Sequence, residues 1–274
     1  MSIQRQRQAG FTLIEISIVL LIVSILLGYT VAMFPIQQEL RQYRQVDTEM
    51  NEILAELIGF AQINGRLPCP DTSGGGGTID GAEDFDDQRI NVSDTSGTDT
   101  IPDGCLAYFG FLPRVTLGMN GSIDPEGRLL DPWGRPYLYH ISEEEGSNNL
   151  VDMVTPNEIR KEGIAAVSSV AGAPDLFICS DSTSTGDDDD CGDVSGVEVA
   201  ANVVAVIVSR GKDKGAVASN IQAENTDDLH DGTDDKVYIS SRRNDNTGSE
   251  YDDVVKWISL PRLLTKMIDA GQLP

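Results

Sequence analysis

One carboxylate stands alone in a long apolar stretch, close behind a glycine–phenylalanine junction. Residues 8 to 15 read Gln8-Ala9-Gly10-Phe11-Thr12-Leu13-Ile14-Glu15. A polar leader with Arg5 and Arg7 ends at Gly10, and Phe11 opens an apolar run to Phe34 in which Glu15 is the only charge. A secretory signal is cut after its apolar core and loses that core. Here the Gly10-Phe11 junction lies before the core, so a cut at that junction would leave the core in the mature chain. Cleavage after Gly10 would create a positive α-amine on Phe11, one helical turn from Glu15. A charge deep in a membrane segment costs roughly 2.5–3.5 kcal/mol on insertion scales and usually has a partner. The Phe11 amine, of the same chain or of a neighbouring copy, is the natural one.

Other reactive groups are sparse. Four cysteines, Cys69, Cys105, Cys179 and Cys191, all lie beyond the apolar run. An even count in an exported domain points to disulfides, with three possible connectivities. Cys69 and Cys105 bracket a Gly/Ser/Thr/Asp-rich segment, 71–104, and Cys179 and Cys191 bracket the acidic run 181–190. Pairing each cysteine with its loop partner is the simplest connectivity, because each bond closes a loop at its base. No Cys-x-x-Cys zinc spacing occurs. The histidines are His140, within a strand pattern beside aromatics, and His230, among aspartates. Ser168, Ser169 and Ser209 lack the Gly-x-Ser-x-Gly elbow of a serine nucleophile. Asn91-Val92-Ser93 matches a glycosylation sequon. The net charge of −24 argues against nucleic acid and anionic lipid surfaces as partners. It suits a solvated surface or one that binds divalent cations.

The elements that must position these groups follow from periodicity. Residues 11–34 exceed the ~20 needed to span a bilayer as a helix, and the leader arginines favour a cytoplasmic start. Ile36, Leu40, Tyr43, Val46, Met50, Ile53, Leu57 and Ala61 then recur at spacings of three and four. The pattern predicts one helix to about Ile63, about 80 Å long, kinked by Pro35 and stopped at Asn64-Gly65. Segment 71–104 is expected to be a surface loop, since it can bury little apolar area. Strand-like runs cover 137–142, 176–179, 203–209, 237–240 and 254–258. Ser259 is a candidate N-cap for a short final helix that ends at Gly271. The expected class is α+β: a long N-terminal helix packed on an antiparallel sheet, with long acidic loops and a short C-terminal helix. The divisions are a leader (1–10), a transmembrane or filament-core helix (11–34), its amphipathic second half (35–64) and a globular domain (65–274).

The N-terminal segment resembles that of type IV prepilins and of the pseudopilins of type II secretion systems, whose pattern is Gly, Phe, Thr-Leu-Ile-Glu and an apolar stretch. The resemblance implies a prepilin peptidase that cuts between Gly10 and Phe11 and methylates Phe11, with Glu15 acting in assembly. Asp131-Pro132-Trp133-Gly134-Arg135-Pro136-Tyr137 resembles a turn before the first strand of the major pseudopilin, with a structural role. Ser209-Arg210-Gly211-Lys212-Asp213 and Asp252-Asp253-Val254-Val255-Lys256-Trp257 resemble that protein's calcium loop. By that resemblance the calcium ligands are Asp213, Asp252 and Asp253, with the Arg210 carbonyl. Two departures stand out. Lys212 and Lys214 flank Asp213, and the connection 215–251 is longer than the family's short loop. A lysine ammonium in the cation's place, or acidic turn residues bonded to their own backbone, are the alternatives. The function implied is a filament subunit, a minor pilin or pseudopilin. It would sit in the inner membrane by a single pass with its C-terminal domain periplasmic, and pass into a pilus or pseudopilus by packing on other pilins through the N-terminal helix. The alternative is a membrane-anchored periplasmic hydrolase or binding protein with a pilin-type leader.

Overall fold

The computed structural model describes residues 11–73, 77–85, 104–142, 153–157, 159–160, 163–167, 174–181, 191, 197–212, 222, 225, 236–244 and 250–273, apart from the side chains of 30–36. The chain divides into two compact units, Met1–Arg44 and Gln45–Pro274.

Helix α1 (Leu13–Asn64) crosses that division. Its backbone is helical through Pro35. It ends as its sequence predicts: Gly65 has φ 71° and donates its N–H to the Ala61 carbonyl at 2.9 Å, a left-handed cap open to glycine. In the second unit Val46, Met50, Ile53, Leu57 and Ala61 are fully buried. Leu40, predicted on the same stripe, is exposed.

The remaining elements are β1 (Phe109–Phe111), β2 (Leu138–Ile141), α2 (Ile164–Val167), β3 (Leu176–Cys179), β4 (Glu198–Ser209), β5 (Val237–Ile239), β6 (Val254–Ser259) and α3 (Leu260–Asp269). β4 is the axis of the sheet. Ala205 pairs with Ile141 of β2 and with Ile258 of β6, while Val203 pairs with Leu176 of β3 and with Ser259 of β6. β2 and β3 therefore follow each other along one edge of β4, and β6 takes the other. The register slips between Val203 and Ala205, beside Asn202 with its positive φ of 52°, as at a bulge. The slip redirects side chains. Val204, Ala205 and Ile207 join the α1 core with Tyr139, Ile141, Ile258, Leu263 and Met267. Val203, Val206 and Val208 join Leu138, Leu176, Ile178 and Tyr238 in a second cluster. Burial on both faces explains why β4 reads as a continuous apolar run rather than an alternating one.

Three expectations need correction. The sheet is mixed rather than antiparallel, because β3 and β5 run parallel. The start of segment 71–104 is packed: Asp71 is fully buried and bridges to Phe111, and Glu83 takes Arg66 in a 2.7 Å ion pair. Arg66 in turn lies over the rings of Phe60 and Phe85. Ser259 occupies the N-cap position of α3, but its side chain makes no capping bond. Pro261, at the start of the helix, supplies a preset φ instead. The far end of α3 closes with Gly271 N–H to the Ile268 carbonyl and Gln272 N–H to the Met267 carbonyl, both 2.9 Å, the Schellman pattern. The class is α+β, consistent with a pilin-like fold.

Candidate functional site

Gly10 lies outside the described residues. Phe11 is 77% exposed, and α1 begins two residues later. Thr12 and Glu15 bond reciprocally: the Glu15 carboxylate accepts the Thr12 N–H at 3.4 Å, and the Thr12 hydroxyl accepts the Glu15 N–H at 3.3 Å. This is a capping box, in which two orphan amides of a helix start are satisfied by side chains. Sequence reasoning took Glu15 only as a charge needing an amine and missed the Thr-x-x-Glu spacing that signals the cap. A carboxylate in the first turn also faces the positive end of the helix dipole.

Two further hydroxyls of the apolar stretch are also satisfied within the helix. The Ser17 and Ser24 hydroxyls donate to the carbonyls of Ile14 and Leu21, each at 2.8 Å. Around them the apolar side chains point outward on every side: Leu13, Ile14, Leu20, Leu21, Ile25 and Leu26 are all exposed. A helix apolar all round calls for an apolar surround. Among the described residues no helix is long and apolar enough to cross a membrane. The described side chains of this stretch reach only to Tyr29.

Cys69 and Cys105 stand at disulfide distance, Cα to Cα 5.4 Å, and so do Cys179 and Cys191, 5.6 Å. Each pair is the one within its own loop; the acidic tips 86–103 and 182–190 lie outside the described residues, with Asn91 among them. His140 is buried between Phe109 and Tyr238, with its Nδ1 2.6 Å from the Tyr238 hydroxyl. Burial pushes its pKa down to about 3, which makes it a packed ring and not a base poised near neutrality. His230, Ser168 and Ser169 lie outside the described residues.

A polar cluster around Asp131 joins segments that are far apart in the chain. Asp131, 3% exposed, accepts the N–H groups of Trp133 and Arg135 at 2.9 Å and the Ser209 hydroxyl at 2.6 Å. Burial raises its pKa, and the Ser209, Arg135 and Trp133 hydrogen bonds oppose that rise. The turn from Asp131 to Tyr137 is thereby fastened to the end of β4. Tyr137 also donates its hydroxyl to Glu49 of α1 at 2.7 Å. A cavity of about 370 Å³ lies there, lined by Glu49, Glu52, Met119, Asp131 and Gly134 among others.

Of the calcium candidates, Asp213 lies outside the described residues. Asp252 accepts the Lys212 N–H at 2.6 Å on one oxygen and the Gln222 amide at 2.7 Å on the other. Asp253 accepts the Asn225 amide at 2.9 Å. The Arg210 carbonyl accepts from the Arg135 guanidinium at 3.2 Å, and the other arm of that guanidinium reaches the Lys212 carbonyl at 2.6 Å. A divalent ion needs such oxygens turned on one point. Here both oxygens of Asp252, one of Asp253 and the Arg210 carbonyl accept N–H donors, the last from a guanidinium. Among the described residues no group of three or more His, Cys, Asp or Glu could hold a metal.

Residues 5–31 match the model of the prokaryotic N-terminal methylation motif. This is the type IV prepilin-like leader, and the match spans Gly10, Phe11, Thr12 and Glu15. No curated protein and no solved structure matches the chain.

Proposed function

We propose that the chain is a filament subunit, a minor pilin or pseudopilin, assembled from the inner membrane into a type IV pilus or a type II secretion pseudopilus. The observation that carries this reading is the outward-facing apolar helix that begins at Leu13, within the matched methylation motif of residues 5–31. Prepilin peptidase removes residues 1–10 and methylates Phe11. Residues 11–34 then hold the chain in the bilayer by a single pass, with the globular part on the periplasmic side. Thr12, Ser17 and Ser24 support this placement, because a helix in hydrocarbon must satisfy its polar groups internally. The Thr12–Glu15 cap lowers the cost of carrying the carboxylate in the bilayer. In a filament the same carboxylate meets the Phe11 amine of a neighbouring copy, and the apolar face packs on other pilins.

A membrane-anchored hydrolase or binding protein is the competing reading. It finds little support in the described residues, where His140 is packed against Tyr238.

Processing is the first test. Co-expression with prepilin peptidase should yield a mature chain whose intact mass begins at methylated Phe11. Gly10→Val should leave the precursor almost wholly uncut, because its side chain crowds the peptidase site. A mature chain that starts beyond residue 34 would rule the reading out. The second test is recovery of the mature chain in sheared filaments alongside other pilins; a processed chain that never leaves the membrane fraction would favour the competing reading.

A further inference from the structure

We propose that Arg135 is the built-in cation of the C-terminal loop: its guanidinium spans the carbonyls of Arg210 and Lys212 and takes the place that a calcium ion has in the pseudopilins this chain resembles. The loop should then fold without a divalent metal.

Four observations carry this. First, Arg135 is held in position. It is 9% exposed, its N–H bonds to the Asp131 carboxylate, and its carbonyl accepts the Asp131 N–H at 2.7 Å. The side chain therefore leaves a closed turn in a set direction. Second, its two arms reach two carbonyls on either side of Gly211. A planar fork of donors suits two separated acceptors in a way that a single ammonium does not. Third, the 210–212 turn is shaped to present those carbonyls. Gly211 has φ 58°, and a β-carbon there would run into the Asp252 backbone and carboxylate. The turn thus lies directly on Asp252, whose carboxylate also accepts the Lys212 N–H. Fourth, positive charge is already supplied. The Arg210 guanidinium is within electrostatic reach of Asp131 and Asp253 and of the guanidiniums of Arg135 and Arg128. A divalent ion at the same carbonyls would be repelled by these guanidiniums, and Asp252 already has a protein donor on each oxygen.

The backbone oxygens a metal would gather are gathered here by a side chain from a turn 75 and 77 residues away in sequence. Metal dependence is thereby replaced by a covalently attached cation, which cannot be lost to a chelator.

The test is thermal melting of the full-length chain in detergent, followed by tryptophan fluorescence, in millimolar calcium and in chelator. The two tryptophans, Trp133 and Trp257, both lie in the segments concerned. The wild-type midpoint should be the same in both conditions. Arg135→Ala should melt lower by about 5 °C or more in chelator. Arg135→Lys should recover only part of that loss, since one ammonium cannot bridge both carbonyls. A gain of stability with calcium that appears in Arg135→Ala and not in the wild type would mark the vacated position as the cation's. The proposal is overturned if calcium raises the wild-type midpoint by several degrees, or if Arg135→Ala melts like the wild type. If Arg135→Ala does not fold, the wild-type comparison and Arg135→Lys still decide.

Discussion

Glu15 and Asp131 are both carboxylates that a mostly apolar setting must hold, and the chain holds them differently. Glu15 is bonded within its own first turn, to Thr12 three residues away. Asp131 is bonded to its own turn and also to Ser209, 78 residues away. The first arrangement needs only a helix start. The second exists only when β4 and the turn have been brought together by the sheet. A locally satisfied carboxylate is free to act between molecules, because releasing it costs one weak cap. A carboxylate satisfied by tertiary contacts is committed to the fold. Under the proposed function, this difference is the one between an assembly residue and a stabilising one.

The contrast can be broken most severely at Glu15. Glu15→Val removes the cap and the partner of a neighbour's amine together, while leaving the globular part untouched. Incorporation into sheared filaments should fall by an order of magnitude or more, with the melting of the globular part unchanged. Wild-type filament levels would show that the carboxylate does not act between copies.

Asp131→Ala should have the reverse profile. It strands the Ser209 hydroxyl and two N–H groups in a buried site and loosens Arg135. A loss of about 3 kcal/mol is expected in denaturant unfolding of the globular part, with processing at Gly10 unaffected. A loss below about 1 kcal/mol would mean that the site relaxes and that Asp131 is not committed to the fold.

Asp71 sharpens the comparison through pH. It is fully buried and accepts the N–H groups of Asp80 and Gly81. Burial, opposed by those two bonds, lifts its pKa from 3.8 to about 6. The folded state therefore holds this proton more tightly than the unfolded state does. The stabilisation is complete below about pH 4, is lost as pH rises through about 6, and stays flat above. Asp71→Asn should gain stability relative to wild type across that window, by at most about 3 kcal/mol. A wild-type-to-variant difference that does not change between pH 4 and 7 would count against the buried-carboxyl account. The smallest effect is expected at Ser259, whose side chain makes no cap bond. Ser259→Ala should change unfolding free energy by less than about 0.5 kcal/mol, and a loss near the ~1 kcal/mol of a working cap would reveal a bond absent from this structure.

Much was legible without coordinates, for one physical reason: short-range constraints leave their mark at fixed spacings. The Gly10-Phe11 junction, the stripe from Val46 to Ala61, the stop at Gly65, strand β3, the final helix and the Gly271 cap all depend on neighbours within about a turn. Local periodicity and backbone propensity are enough to read them. The Thr12–Glu15 cap belongs to the same class and was open to reading. Tertiary structure decided the rest. Whether β3 lies parallel or antiparallel to β5 depends on how an intervening chain returns, which no residue pattern encodes. The slip at Val203 that sends β4's side chains to two cores depends on strands on both of its edges. The beginning of segment 71–104 looked too polar to pack, yet Arg66 and the backbone of 80–81 give Glu83 and Asp71 partners. Above all, the turn from Asp131 to Tyr137 and the 209–212 segment read as two separate motifs. Their joining by Asp131–Ser209 and Arg135 comes from the pairing of β2 with β4, which lays Leu138 beside Val208 and brings a guanidinium to the Arg210 carbonyl, which the resemblance had assigned to a metal, and to that of Lys212.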